Sequence, residues 1–310
     1  MKYVGIKTQQ SSNNWKSVAL LFAFPVMVLA LTMAFMLILY WVAAEPNPDY
    51  TAWDVSSYWF MQALPWVLGV VGVWFVIAFL FNTGIINRAA GSKPLERMEN
   101  KRVYNLVENL CMANGMAMPK VNVIESPALN AFASGINDKT YTVTLTTGII
   151  DTLDDDELEG VIAHELTHIR NRDVRLLVVS IVFVGIFTLI MTGAFYAIPR
   201  VHGKNSGGIR LFLLIVAVLA AVGTLCSNIT KLAISRKREY MADAGAAEMT
   251  RNPLALAGAL RKISGNSEVE TVKRKDVAQL FIEHGAKGSS GSLFATHPPI
   301  ERRIEILEQF

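Results

Sequence analysis

Residues 18–44 carry no charged side chain. An apolar run of that length suits a helix crossing a hydrocarbon core of ~30 Å, which takes ~20 apolar residues. Three further apolar blocks follow, at about residues 63–81, 176–198 and 211–234. Pro25 and Pro65 interrupt the first two, which membrane helices tolerate because neighbouring groups re-satisfy the freed backbone. The last block turns polar at Ser227-Asn228 and carries Lys231, a residue whose stem can snorkel to the interface. For the last pair the structural alternative is a buried hairpin of core helices. The first block follows Lys2, Lys7 and Lys16 and ends in Val42-Ala43-Ala44, but the apolar part of a secretory signal runs only about 7–15 residues. An uncleaved anchor is expected.

The formal net charge of +3 points neither toward nor away from nucleic acid, and no nucleic-acid partner is expected. Its distribution says more. The segment before the first block is basic, whereas the next loop holds Glu45, Asp49 and Asp54 and no Lys or Arg. Positively charged loops stay in the cytoplasm, so the N-terminus is placed inside and residues 45–62 outside. Alternating crossings return residues 88–175 to the cytoplasm. Arg200, Lys204 and Arg210 then face outward, against the rule; the first helices usually dominate orientation. The two cysteines, Cys111 and Cys226, lie in a polar and an apolar stretch. No disulfide framework is implied.

Between the apolar blocks the pattern is mixed. Gly91-Ser92-Lys93-Pro94 reads as a linker, and Val103, Leu106, Val107 and Leu110 recur at helical spacing within 95–112. Val121-Asn122-Val123-Ile124 and residues 141–145 read as strands. Asp154-Asp155-Asp156 supplies an N-cap and acids that complement a helix dipole. Further helices are expected at 236–249, 253–264, 276–284 and 299–309, with a Gly/Ser-rich stretch at 285–292. No internal repeat is present.

The helix opened by those aspartates carries His164-Glu165-Leu166-Thr167-His168. Histidines four apart lie on one face of a helix. Both imidazoles can then bind one Zn²⁺ while Glu165 addresses a water in the metal's open position. The alternative is an amphipathic helix with two incidental histidines. A catalytic zinc has three protein ligands, so a third must come from elsewhere. Glu239, in Arg238-Glu239-Tyr240-Met241-Ala242-Asp243, is the candidate. Asp243, four residues on, would accept the outer N–H of a ligating histidine. Taken alone, Glu239 reads first as a surface carboxylate paired with Arg238 or Arg236. Topology favours the ligand. Two apolar blocks separate His168 from Glu239, and an even number of crossings returns the chain to the same side. Both ligand sets lie within a few residues of an apolar block, which places the site roughly 10–15 Å from the interface at 1.5 Å per helical residue.

These motifs, with Asn130-Ala131-Phe132-Ala133-Ser134-Gly135 and Thr296-His297-Pro298-Pro299, resemble the membrane-bound gluzincin peptidases of the HtpX type, a family that includes the CAAX prenyl proteases. The resemblance covers essentially the whole chain. It implies a mainly α membrane protein with a small β-sheet: a gluzincin-like α+β catalytic domain interrupted by a transmembrane hairpin and preceded by two transmembrane helices. The expected division is 1–17 cytoplasmic segment, 18–86 two transmembrane helices with a short periplasmic loop, and 87–175 catalytic domain with the zinc helix. The hairpin at 176–234 and the second catalytic part at 235–310 complete it. The resemblance further implies one Zn²⁺ per subunit on His164, His168 and Glu239, and endopeptidase activity toward misfolded membrane proteins or unfolded polypeptides. It places the chain in the bacterial inner membrane with its active site cytoplasmic, acting in quality control and stress response alongside partners of that system and the lipid bilayer.

Glu165 is expected to act as general base and acid. His297 is the oxyanion donor on resemblance, with capping of the following helix as its structural alternative and Tyr240 as a weaker candidate. The strand around Val143 and Thr144 is expected to pair with an extended substrate by β-augmentation, with Asn130, Ala131, Phe132 and Ala133 on its other side; an ordinary interior strand and turn is the alternative. Asp173 and Arg170 are left open between a supporting role at the site and an interfacial one. Two other functions stay in play: a CAAX-type prenyl-protein endopeptidase, and a non-catalytic membrane scaffold stabilised by zinc.

Overall fold

The computed structural model describes residues 6–43, 48–202, 206–232, 237–267, 269, 280–282 and 298–310. The chain forms two compact units. One comprises residues 18–80 and 179–230, the other residues 1–17, 81–178 and 231–310. The protein is mainly helical with one small mixed sheet.

The long helices α1 (Ile6–Ala43), α2 (Ala52–Ala90), α6 (Asp173–Ala197) and α7 (Ser206–Leu232) supply the first unit with their residues 18–43, 52–80, 179–197 and 206–230, and their remaining residues belong to the other unit. Phe24, Val71 and Phe187 form the buried centre of the first unit, with Phe24 edge-on to Phe75 at 5.8 Å. Large apolar side chains also point outward, among them Trp66 at 78% and Leu189 at 65% exposure. Helices apolar on every face belong in lipid. Among the described residues, Gln10–Val42, Ala52–Ile77 and Gly207–Ser227 are long and apolar enough to cross a membrane. All but the last residue of the third apolar block lies within α6. Leu225 on α7 is 61% exposed, so a hairpin buried in a protein core does not describe this pair.

The second unit holds a four-stranded sheet of order β1-β2-β4-β3. Its strands are β1 (Lys93–Pro94), β2 (Lys120–Ile124), β3 (Ala131–Ser134) and β4 (Thr142–Thr146). β2 and β4 run parallel, while β1 and β3 are antiparallel edges. The hairpin from β3 to β4 turns at Gly135, whose φ of +107° favours glycine. A Cβ there would come within 2.4 Å of the Thr140 carbonyl. The expected linker at 91–94 thus contributes a strand. The helix expected from residue 95 starts six residues later, as α3 (Lys101–Ala113), because the Asn100 side chain caps it by accepting from the Val103 N–H.

Helix α4 (Thr147–Thr152) leads into α5 (Asp155–Arg170), which carries the histidine pair. A capping box starts α5: Asp154 accepts from the Glu157 N–H at 2.9 Å, and Glu157 accepts from the Asp154 N–H at 3.1 Å. Helices α8 (Lys237–Thr250) and α9 (Pro253–Ile263) pack on α5, and α10 (Ile300–Leu307) packs on both of these. The helix expected at 276–284 falls mostly outside the described residues; Leu280–Ile282 form a turn and bend. At the C-terminal end of α5, Gln10 and Asn13 of α1 donate to the Arg170 and Asn171 carbonyls at 2.7 and 3.0 Å. Those carbonyls have no partner within the helix. Arg172, at φ 59°, then turns the chain directly into Asp173.

The approach of α8 to α5 depends on Gly245. A Cβ there would lie 2.4 Å from Cγ2 and 2.9 Å from Oγ1 of buried Thr167, whose hydroxyl donates to the Ala163 carbonyl. Gly245→Val is therefore expected to force the helices apart and cost about 1–3 kcal/mol. A Tm unchanged from wild type would show that the contact yields without cost.

Candidate metal centre

Two turns of α5 and the first two turns of α8 form the centre of the second unit. His164, Glu165 and Glu239 are at most 1% exposed, and His168 is 8% exposed. The Nε2 atoms of His164 and His168 are 3.1 Å apart. Glu239 Oε2 lies 3.7 Å from the first and 3.8 Å from the second. Tetrahedral ligands at the usual ~2.0–2.1 Å from zinc sit about 3.4 Å from one another, so the triangle has the dimensions of three zinc ligands. Its two imidazoles and one carboxylate are also a donor set that zinc takes in catalytic sites. Among the described residues these three groups form a possible metal site.

The outer nitrogens are held from behind. His164 Nδ1 is 3.0 Å from Asp243 Oδ1. His168 Nδ1 lies 3.1 Å from both carboxylate oxygens of Asp173. Such carboxylates set the tautomer that turns Nε2 toward a metal. Burial works against a charge on His168, but the Asp173 and Glu239 carboxylates outweigh it and push its pKa up to about 10. Proton and metal compete for such a site.

Asp243 is fixed in turn by Arg303 of α10. The guanidinium grips it through Nη2–Oδ1 at 2.6 Å and Nε–Oδ2 at 2.9 Å. Burial raises the pKa of Asp243, yet the charge and hydrogen bonds of Arg303 hold it below the usual carboxylate range. Arg303 Nη1 also donates to the Ile282 carbonyl at 3.2 Å, and the Ile282 N–H donates to the Ala131 carbonyl on β3 at 2.9 Å. Burial raises the pKa of Glu165; the two histidines and a hydrogen bond from the Ala133 N–H partly offset this.

Beside this centre lies a small, narrow cleft lined by Ala133, Glu165, His168, Arg238, Glu239 and the Leu280–Ile282 bend, among others. Glu239 does pair with Arg238, at 3.1 Å, but both are buried rather than on the surface. Tyr240 is half-buried and outside the cleft lining. Arg170 pairs with Glu248 of α8 at 3.1 Å, a tie between helices, while Asp173 supports His168. His297 lies outside the described residues; Pro299 holds the N-cap position of α10 without a side-chain hydrogen bond.

The expected substrate strand needs correcting. Val143 and Thr144 lie in β4, which pairs with β2 on one side and β3 on the other. Both of its backbone edges are occupied, and both residues are fully buried, so no peptide can add to it. The edge nearest the cleft is β3, the strand of Ala131, Phe132 and Ala133. Asn130, just before it, donates from Nδ2 to the Ser267 carbonyl at 2.7 Å, and Phe132 packs against Phe281 with ring centroids 4.9 Å apart. Asn130, Ala131 and Phe132 are thus engaged within the protein, and of this group the cleft is lined by Ala133.

Sequence reasoning also missed Arg303. The readable signal was its place on the apolar stripe of α10, where Ile300, Arg303 and Leu307 are the buried positions.

Comparison with known proteins places the chain in a family. Peptidase family M48 matches residues 97–310. A protease HtpX homolog of Bacteroides fragilis is 55% identical over 323 aligned positions, spanning the whole of both chains. Another from Dictyoglomus thermophilum is 39% identical, covering 82% of this chain and 84% of its own. The crystal structure of S. mikatae Ste24p is 18% identical with a TM-score of 0.45, covering 97% of this chain and 67% of that one. With its buried histidine pair and neighbouring glutamates, the chain belongs to peptidase family M48 and is a membrane metalloprotease.

Proposed function

We propose that the protein is a zinc-dependent endopeptidase that holds one Zn²⁺ on His164, His168 and Glu239 and hydrolyses polypeptides at the cytoplasmic face of the bacterial inner membrane. The observation that carries this reading is the triangle of Nε2, Nε2 and Oε2 atoms at 3.1–3.8 Å. Glu165 stands beside it, and a purely structural zinc would have no use for that carboxylate. When bound, zinc would polarise the scissile carbonyl and acidify the attacking water. Glu165, raised above the ordinary glutamate range, takes the water proton and delivers it to the leaving amine. Asp243 and Asp173 keep the ligand imidazoles in register, and the edge of β3 near Ala133 lies beside the peptide's path.

The cytoplasmic assignment rests on Lys2, Lys7 and Lys16 before the first apolar block and the acidic loop after it. Residues 18–86 and 176–234 are assigned to the membrane, 87–175 and 235–310 to the catalytic domain. A site flanked so closely in sequence by membrane helices suits damaged or misfolded membrane proteins as substrates.

The full chain in detergent is expected to cleave casein, to stop on addition of 1,10-phenanthroline, and to recover with added Zn²⁺. Glu239→Ala should bind well under one zinc per chain. Cleavage indifferent to the chelator would refute the reading.

A further inference from the structure

We propose that Arg238 is the oxyanion donor of this site: its guanidinium donates to the scissile carbonyl oxygen and holds the charge that oxygen gains in the tetrahedral adduct. The proposal rests on the peptidase reading above. Arg238 is the second residue of α8, one before Glu239, and is 8% exposed. Its Nη2 donates to Glu239 Oε1 at 3.1 Å, the oxygen other than the one facing the histidine pair. Its Nε is 3.8 Å from Asp173 Oδ2, beyond hydrogen-bond reach. Nε and Nη1 are buried and have no hydrogen-bond partner among the described residues. A buried donor without an acceptor costs about 1–3 kcal/mol, so these N–H groups mark a place where an acceptor belongs.

The surroundings indicate which acceptor. Arg238 lines the cleft with Glu165, His168 and Glu239, and among the described lining residues it is the one arginine or lysine. The other buried guanidinium, Arg303, is already committed to Asp243 and the Ile282 carbonyl. The remaining lining is largely apolar: Ala133, Val174, Leu177 and Leu280 among others. A peptide entering such a cleft brings backbone carbonyl oxygens as its acceptors. Guanidinium is a permanent, planar cation with forked donors, and preorganised donors act most strongly where water is excluded.

In the step itself the water oxygen bonds to the carbonyl carbon and its proton goes to Glu165. The carbonyl π pair moves onto the oxygen facing Arg238. On collapse that pair re-forms the carbonyl, the C–N bond breaks, and Glu165 returns the proton to the amine. Arg238 transfers no proton.

The alternative is that Arg238 only neutralises Glu239 and Asp173. The two roles separate in the zinc-loaded full chain in detergent, using Arg238→Gln and Arg238→Lys. The readouts are kcat, KM, zinc affinity by chelator competition, and affinity for a phosphinic peptide that mimics the tetrahedral adduct. For Arg238→Gln we expect kcat to fall about 10²–10³-fold, and phosphinic-peptide binding to weaken by a similar factor. KM should stay within a few-fold of wild type; zinc affinity, with the Nη2–Glu239 contact altered, should fall by no more than about 10–100-fold, and the loss in kcat is read per bound zinc. Arg238→Lys, which keeps a cation beside both carboxylates, should show a smaller loss of the same kind. Should Arg238→Gln not fold, the lysine variant decides by the same readouts. Unchanged phosphinic-peptide binding and kcat per bound zinc, with or without weaker zinc affinity, overturns the proposal. Failure of the peptidase reading looks different: wild-type cleavage would then survive phenanthroline.

Discussion

Glu165→Gln is expected to lower kcat by about 10²–10⁴-fold, the usual contribution of a positioned general base, with one zinc still bound per chain. The amide keeps the shape of the carboxylate but cannot take a proton from the attacking water. Zinc is retained because the ligand triangle is formed by His164, His168 and Glu239. Stability should not suffer. Burial raises the pKa of Glu165, so its ionised form is a burden on the folded state, fully relieved below the ordinary glutamate range and felt as pH rises through the raised value. In chelator-treated protein the variant should therefore be at least as stable as wild type at neutral pH, with the difference shrinking in acid. Near-wild-type cleavage by Glu165→Gln would remove it as the base. Loss of zinc would instead make it a structural support of the site.

How much of this centre was legible in the sequence depends on how local each feature is. The His164–His168 pair and the Asp154 cap are local: helix periodicity and the capping box place them without reference to the rest of the chain. Glu239 was reachable because an even number of apolar blocks separates it from the pair. Val143 and Thr144 were misassigned because strand order is a non-local property. Alternation marks residues 141–145 as a strand, but nothing in it says that β2 and β3 flank them. Asp173 could not be decided from sequence, since its role depends on the left-handed Arg172 that ends α5 and turns the next residue back toward His168. Arg303 lies 139 residues from the imidazole it supports through Asp243, a distance over which spacing carries no information. Its signal was a charged residue on an apolar stripe, which physics allows only where a partner is buried with it.

That partnership makes Arg303→Met the most damaging change expected away from the ligands. Asp243 is 1% exposed and receives both of its short hydrogen bonds from Arg303. Removing one member of a buried pair leaves the other charge uncompensated and costs about 3–5 kcal/mol. The loss spreads in two directions. Asp243 would be driven toward its protonated form, weakening its hold on His164 Nδ1 at 3.0 Å and with it the imidazole's orientation toward zinc. The Leu280–Ile282 bend would lose the contact through the Ile282 carbonyl, on the side of the cleft facing β3. Denaturant unfolding should register the first effect, and chelator competition for zinc should register the weakened ligand. Adding Asp243→Asn to Arg303→Met removes the stranded charge, and the asparagine oxygen can still accept from the imidazole N–H. The double variant should therefore recover part of the lost stability that the single variant lacks. If Arg303→Met unfolds at the wild-type denaturant concentration and holds zinc as tightly, Asp243 is supported by something other than this guanidinium. Arg303→Lys separates charge from geometry: a lysine restores one contact but not the fork, so it should fall between the methionine variant and wild type in both measurements.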